Sequence, residues 1–164
     1  MKYTKDKYFW GILRLFASWT FLWTFFDKLF GLGFNVTPDK AWIVGNSPTF
    51  GFLKFAAKGP FAGFYQSLAG NQIVDWVFML GVLLMGLALL LGIGVKIAGY
   101  AGALFYIFIY TAGFIPPEFN PFLDEHLYYV VLMLAFASVD AGDYIGFGAW
   151  WSRTRLVQKY PFLK

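Results

Sequence analysis

Four long apolar stretches divide the chain, and each approaches the length of a membrane-spanning helix. They cover residues 8–27, 75–95, 97–115 and 124–143. A hydrocarbon core about 30 Å thick needs about 20 apolar residues in a helix. The fourth stretch reaches that length only if its polar ends are included. The pattern therefore predicts an all-α integral membrane protein, a four-helix bundle forming a single domain.

One long connection separates the first two predicted helices. Residues 29–74 are rich in aromatic side chains and are broken into short pieces by glycine and proline. Loops of this length usually carry function or structure of their own. We expect its aromatic part, residues 50–68, to lie in the outer headgroup region or to fold over the bundle as a lid, with Lys54 and Lys58 facing water. An interfacial anchor without a binding site is an equal alternative.

The composition supports a location in the lipid bilayer. Of the 164 residues, 59% are hydrophobic and only 13% are charged, and the mean hydropathy is +0.59. Soluble domains carry about 25% charged residues, and one core of this size could not bury so much apolar surface. The net charge of +4 resides at the chain ends and in loops, which argues against nucleic acid. The lysines and arginines near both termini predict that both termini are cytoplasmic.

The scarcity of metal-binding and redox-active side chains excludes several chemistries. The sequence has no cysteine and one histidine. Disulfides, thiolate nucleophiles, iron–sulfur clusters and c-type haem attachment all need cysteine. We therefore expect no metal or haem on this chain, and any electrons must pass directly or through a partner.

Two ionisable residues fall inside predicted helices at comparable depth. Arg14 lies about two turns into the first helix, and Asp140 lies near the cytoplasmic end of the fourth. Charged side chains within a membrane are costly and are often functional. We expect the two to form an ion pair, which either fixes helix packing or serves anion binding or proton transfer.

A second polar group begins the fourth predicted helix. Asp124 and Glu125 fit the positive end of a helix, but that role does not explain His126, the sole histidine, at the same place. Tyr129 follows three residues after His126 and shares its face. A histidine, a carboxylate and a tyrosine at membrane depth can bind a quinone head group and take its protons. Lys28 ends the first helix at similar depth, where it either attracts an anionic group or extends to the interface.

These residues belong to a wider pattern that resembles the DoxD/DoxX family of small membrane proteins. The pattern consists of N-P-F-L-D-E-H at 120–126, A-G-D at 141–143, G-F-G-A-W-W at 146–151, V-Q-K-Y-P-F-L at 157–163, and Arg14 followed by Lys28-Leu29. The resemblance implies a four-helix membrane bundle. For the DoxD branch it further implies the membrane subunit of a thiosulfate:quinone oxidoreductase, which works with a second small subunit, DoxA.

Three functions follow as alternatives. In the first, the chain is a quinone-linked oxidoreductase subunit in which His126, Glu125 and Asp124 are catalytic, while Arg14, Lys28, Tyr129 and Asp140 bind quinone or an anion. In the second, it is a non-catalytic subunit that anchors a larger respiratory complex. In the third, it transports an anion or a hydrophobic solute through the Arg14–Asp140 layer.

Overall fold

The computed structural model describes residues 5–118 and 121–164, and within them the chain is helical without a β-strand. Lys2, one of the lysines near the N-terminus, and Asn120 of the N-P-F-L-D-E-H motif lie outside the described residues. Seven α-helices are present in the described part: α1 (Lys5–Phe30), α2 (Ala62–Ser67), α3 (Gln72–Leu91), α4 (Val95–Gly113), α5 (Glu125–Ser138), α6 (Gly148–Trp151) and α7 (Arg155–Lys159). The predicted all-α class is confirmed.

Three of these helices are long and apolar enough to cross a membrane. They are α1 from Asp6 onward, α3 and α4. The fourth apolar helix, α5, has 14 residues, which corresponds to about 21 Å and falls short of a hydrocarbon core on its own. Residues 139–143 do not prolong it, because Asp140 adopts the left-handed conformation with φ of 50°. A four-helix membrane bundle therefore stays a prediction.

Glycines set the turn between α3 and α4. Gly92 ends α3 with φ of 77°, and Gly94 precedes α4 with φ of 68°. Residues with a side chain rarely adopt this conformation. The prediction that Lys96 separates the two helices is wrong, because Lys96 lies in the first turn of α4 and the glycines form the turn.

Small residues join the helices in two pairs, α1 with α3 and α4 with α5. A Cβ atom at Gly86 of α3 would lie 2.7 Å from the Leu22 side chain of α1. A Cβ atom at Gly99 of α4 would lie 2.7 Å from the Met133 carbonyl oxygen and 2.8 Å from Ala137 Cβ of α5. Such contacts allow close approach of helix backbones. The small residues of α3 and α4 thus serve packing against α1 and α5.

Two buried aspartates hold the segment between α1 and α3 against these helices through hydrogen bonds. Asp27 of α1 accepts hydrogen bonds from the backbone N–H groups of residues 34 and 35. Asp75 of α3 accepts hydrogen bonds from the hydroxyls of Ser47, at 2.8 Å, and Thr49, at 2.6 Å. Hydrogen bonding offsets the cost of burying each carboxylate. The connection is therefore held at the same end of the molecule as the start of α3.

The aromatic part of the connection packs on the end of α4. Leu53 and Tyr65 are buried in a cluster with Ala112. The Tyr65 hydroxyl is 2.6 Å from the Thr111 hydroxyl. Phe55 and Phe64 remain exposed, at 79% and 62%. The segment thus covers one end of the helices, while its position in the headgroup region stays a prediction.

Candidate functional site

An apolar cavity of about 1020 Å³ lies between α3 and α4. Its walls follow α3 from Ile73 to Ala88 and α4 from Gly94 to Ala112, so it extends along most of both helices. Residues of α1 and of the connection close it on other sides. Since α3 packs on α1 and α4 packs on α5, space remains between the two pairs. Small-molecule sites in proteins are typically concave, largely apolar and of this size.

The cavity wall includes His126 from the start of α5 and Lys28 from the end of α1. The antiparallel course of the helices brings both to the same end, where α3 begins and α4 ends. Tyr106 of α4 also lines this end. Two residues predicted from separate parts of the sequence therefore reach one cavity.

Asp124 holds the imidazole of His126. Its carboxylate oxygen Oδ1 lies 2.7 Å from the backbone nitrogen of His126 and 2.6 Å from the ring atom Nδ1. The first contact is the N-cap of α5, which explains why the two residues occur two apart. With Asp124 ionised, Nδ1 carries the hydrogen and donates it, so Nε2 of the neutral ring is an acceptor. The pair can therefore take a proton at Nε2 while Asp124 stabilises the resulting cation.

Aromatic rings surround this histidine. The Phe114 ring centroid lies 4.3 Å from that of His126, and the Tyr106 and Tyr129 centroids lie 6.2 and 6.3 Å away. Tyr106 and Tyr129 also contact each other at 5.0 Å. The rings fix the orientation of the imidazole and give it an apolar environment. Tyr106 was not among the residues predicted from the sequence, because a tyrosine within an apolar helix looks like any other packing residue.

At the same end of the cavity, Lys28 contacts the protein through both a hydrogen bond and an aromatic ring. Its ammonium Nζ donates a hydrogen bond of 2.8 Å to the Pro48 carbonyl oxygen and lies 5.5 Å from the Phe78 ring centroid. Asp27 and Asp75 are the two carboxylates whose charges act on it. These two carboxylates offset part of the positive charge. Which of the two roles considered for Lys28 applies stays a prediction.

Glu125 and Tyr129, also predicted as site residues, do not line the cavity. Glu125 is exposed, and Tyr129 is 42% exposed on the outer side of Tyr106. Tyr129 still touches the site through its ring contacts with Tyr106 and His126. For Glu125, the described part of the chain provides no such ring contact.

The predicted Arg14–Asp140 ion pair is wrong. Arg14 is fully buried, and its guanidinium donates hydrogen bonds to the carbonyl oxygens of Leu90 and Ile145. Leu90 is in the last turn of α3, where carbonyl oxygens lack helical partners. Asp140 instead pairs with the Lys164 ammonium at 3.0 Å.

Arg14 and Asp140 also lie far from His126 in the fold. Both are near the turn between α3 and α4, at the opposite end of these helices, and neither lines the cavity. Asp140 reaches Lys96 at 3.8 Å as well as Lys164. The candidate residues thus separate into a site at His126 and a polar cluster that closes the other end.

Within the described residues, no group of three or more histidine, aspartate or glutamate side chains is placed to hold a metal ion. The cavity offers instead a largely apolar volume with His126 at one end. Comparisons of the chain with protein-family models, with curated proteins and with solved structures find no match.

Proposed function

We propose that this protein is the membrane subunit of a quinone-linked oxidoreductase and binds the quinone in the cavity between α3 and α4. The observation that carries the proposal is the presence of His126, oriented by Asp124, in the wall of an apolar cavity of about 1020 Å³. A quinone is an apolar molecule with a head group that accepts hydrogen bonds and takes up electrons and protons. The cavity accommodates the apolar part, and His126, after it takes up a proton at Nε2, can donate a hydrogen bond to the head group.

Each residue at the polar end of the cavity has a role in the proposed reaction. Asp124 fixes the tautomer of His126. Nε2 of His126 takes up a proton, donates it in a hydrogen bond to a quinone oxygen, and transfers it as two electrons from the donor reduce the head group; it then takes up and transfers the second proton of the quinol in the same way. Tyr106 and Phe114 pack around the imidazole and exclude water from it. Lys28, held by Pro48, closes the cavity beside Phe78. Binding in the lipid-facing part of the fold gives the ligand access from the bilayer.

The resemblance to the DoxD/DoxX family supplies the proposed electron donor and partner. It suggests thiosulfate as donor and a second small subunit, DoxA-like, since this chain has no cysteine to carry a sulfur intermediate. The finer topology belongs to the same proposal: α5 serves as a fourth membrane helix against α4, and both termini are cytoplasmic. Support comes from the close packing of α5 on Gly99 and from the lysine and arginine distribution.

The test is quinone reduction by the chain with its partner, purified together and reconstituted into vesicles. We expect thiosulfate to reduce decyl-ubiquinone, and His126→Ala to abolish this turnover while leaving the fold intact. Tyr128→Leu is the matched control, since Tyr128 is on the same helix, 64% exposed and outside the cavity. Unchanged turnover in His126→Ala would refute the proposed role and favour an accessory subunit of a larger respiratory complex.

A further inference from the structure

The half of the cavity away from His126 has a different chemical character. Of the described residues that line it, Val82, Met85, Ala88, Gly94, Ile97 and Ala98 provide no polar side chain. Thr20 and Thr24 of α1 also line the cavity, but their hydroxyls donate hydrogen bonds to backbone carbonyl oxygens of α1. Along α4, the distance from Tyr106 back to Gly94 is about 18 Å at 1.5 Å per residue. The cavity is therefore longer than a head group needs and continues as an apolar channel, which we call the α3–α4 channel.

A glycine keeps this channel open. A Cβ atom at Gly81 would meet nothing within 4 Å. At Gly86 and Gly99, in contrast, atoms of neighbouring helices already occupy the space beside the Cα atom. The channel also has an open side, because Leu84 and Leu104 line it and are 62% and 51% exposed. In a membrane that side faces lipid. A molecule dissolved in the bilayer can therefore enter between α3 and α4.

Charge at the polar end selects against an anionic head group. The Lys28 ammonium already donates to the Pro48 carbonyl oxygen and has Asp27 and Asp75 as neighbouring carboxylates. The carboxylates of Asp27, Asp75 and Asp124 outnumber the Lys28 ammonium at this end, which is therefore unfavourable for a phosphate or a carboxylate. Nε2 of His126 can instead accept a hydrogen bond from a hydroxyl or, when it carries a proton, donate one to a carbonyl oxygen.

We infer that the site takes an uncharged amphiphile with a single long apolar tail, whose head lies at His126 and whose tail lies in the α3–α4 channel. This inference rests on the proposed function for the head group and extends it to the tail. A quinone with a long side chain and a long-chain alcohol share this chemistry. A phospholipid has two tails and a phosphate, and a fatty acid has a carboxylate, so neither fits.

Photo-crosslinking tests the position of the tail. The chain, in lipid nanodiscs, is exposed to a ubiquinone analogue with a hexadecyl tail ending in a diazirine, and to hexadecanol and hexadecanoic acid carrying the same label. Labelled peptides are identified by mass spectrometry. We expect the quinone and the alcohol to label the channel between Ala88 and Ile97, and an excess of unlabelled decyl-ubiquinone to prevent this. Hexadecanoic acid should not give competitor-sensitive labelling there.

Two glycine variants provide the matched comparison. Gly81→Leu places a side chain in the channel and should reduce the labelling between Ala88 and Ile97 to background. Gly63→Leu is the control, because Gly63 is also helical, has open space around a Cβ atom and lies outside the cavity. Equal labelling of the two variants would overturn the inference. Labels scattered over lipid-facing residues such as Leu80 and Tyr100, or displaced by phospholipid, would also overturn it.

The results separate this inference from the proposed function. If the alcohol labels the channel in a Gly81-dependent way and quinone does not compete, the tail site stands and the quinone-linked function fails. If quinone turns over in a His126-dependent way while the labelled tails scatter, the function stands and the tail site fails.

Discussion

Replacing Gly99 with alanine tests how α5, and with it His126, is held in place. The new Cβ atom would lie 2.7 Å from the Met133 carbonyl oxygen and 2.8 Å from Ala137 Cβ. One of these is a backbone atom, so α5 must shift as a whole to make room. Overpacking of this kind costs about 1–3 kcal/mol. We therefore expect Gly99→Ala to destabilise the contact between α4 and α5.

Gly81→Ala is the control that isolates this cost. Both substitutions gain about 0.8–1 kcal/mol of helix propensity, but a Cβ atom at Gly81 meets nothing within 4 Å. The propensity gain cancels in the comparison, so Gly99→Ala should be less stable than Gly81→Ala by about 1–3 kcal/mol. Unfolding in mixed micelles with increasing SDS, followed by the fluorescence of the seven tryptophans, measures the difference. Equal stability of the two variants would refute the close packing of α5 on α4.

Two further predictions concern the polar groups away from the cavity. Arg14→Met should lower the free energy of unfolding by about 3 kcal/mol, because two partly buried carbonyl oxygens lose a charged donor. A double-mutant cycle of Arg14→Met with Asp140→Asn should show no coupling energy. A coupling energy above about 1 kcal/mol would support the Arg14–Asp140 ion pair after all. For Lys164, burial lowers the pKa, but hydrogen bonds to Asp143 and Asp140 raise it more, so the pKa lies above the ordinary lysine value. The stability that the protonated Lys164 contributes is complete below about pH 10.4 and is lost as the pH rises through the higher folded pKa. Trp151 donates a hydrogen bond to the neighbouring Leu163 carbonyl oxygen, so its fluorescence should change in that pH range. Lys164→Met should abolish the change.

The membrane helices could be predicted because their signal is long and continuous. The apolar stretches that predict the second and third spans correspond to α3 and α4, whose hydropathy is higher than that of α1, the third candidate membrane helix among the described residues. The ends of the two helices could not be predicted, because the turn between them depends on positive φ values at Gly92 and Gly94. Many other glycines of the chain do not have a positive φ, so the residue type alone does not mark the turn. The end of α5 depends in the same way on the conformation of Asp140.

The local part of the site could also be anticipated. Asp124 and His126 are two residues apart, so the N-cap contact between them follows from the start of a helix. The partners of Arg14 could not be predicted, since they are carbonyl oxygens, which every residue carries. Tyr106 joins His126 only because α4 and α5 pack closely, and no pattern in the sequence marks that tyrosine.

The central claim is that a quinone binds in the cavity beside His126. Native mass spectrometry of the protein, purified from its own membranes in a mild detergent, tests it most directly. We expect one quinone per chain, retained in Tyr128→Leu and lost in His126→Ala. A chain without quinone, or a quinone retained equally in both variants, would contradict it.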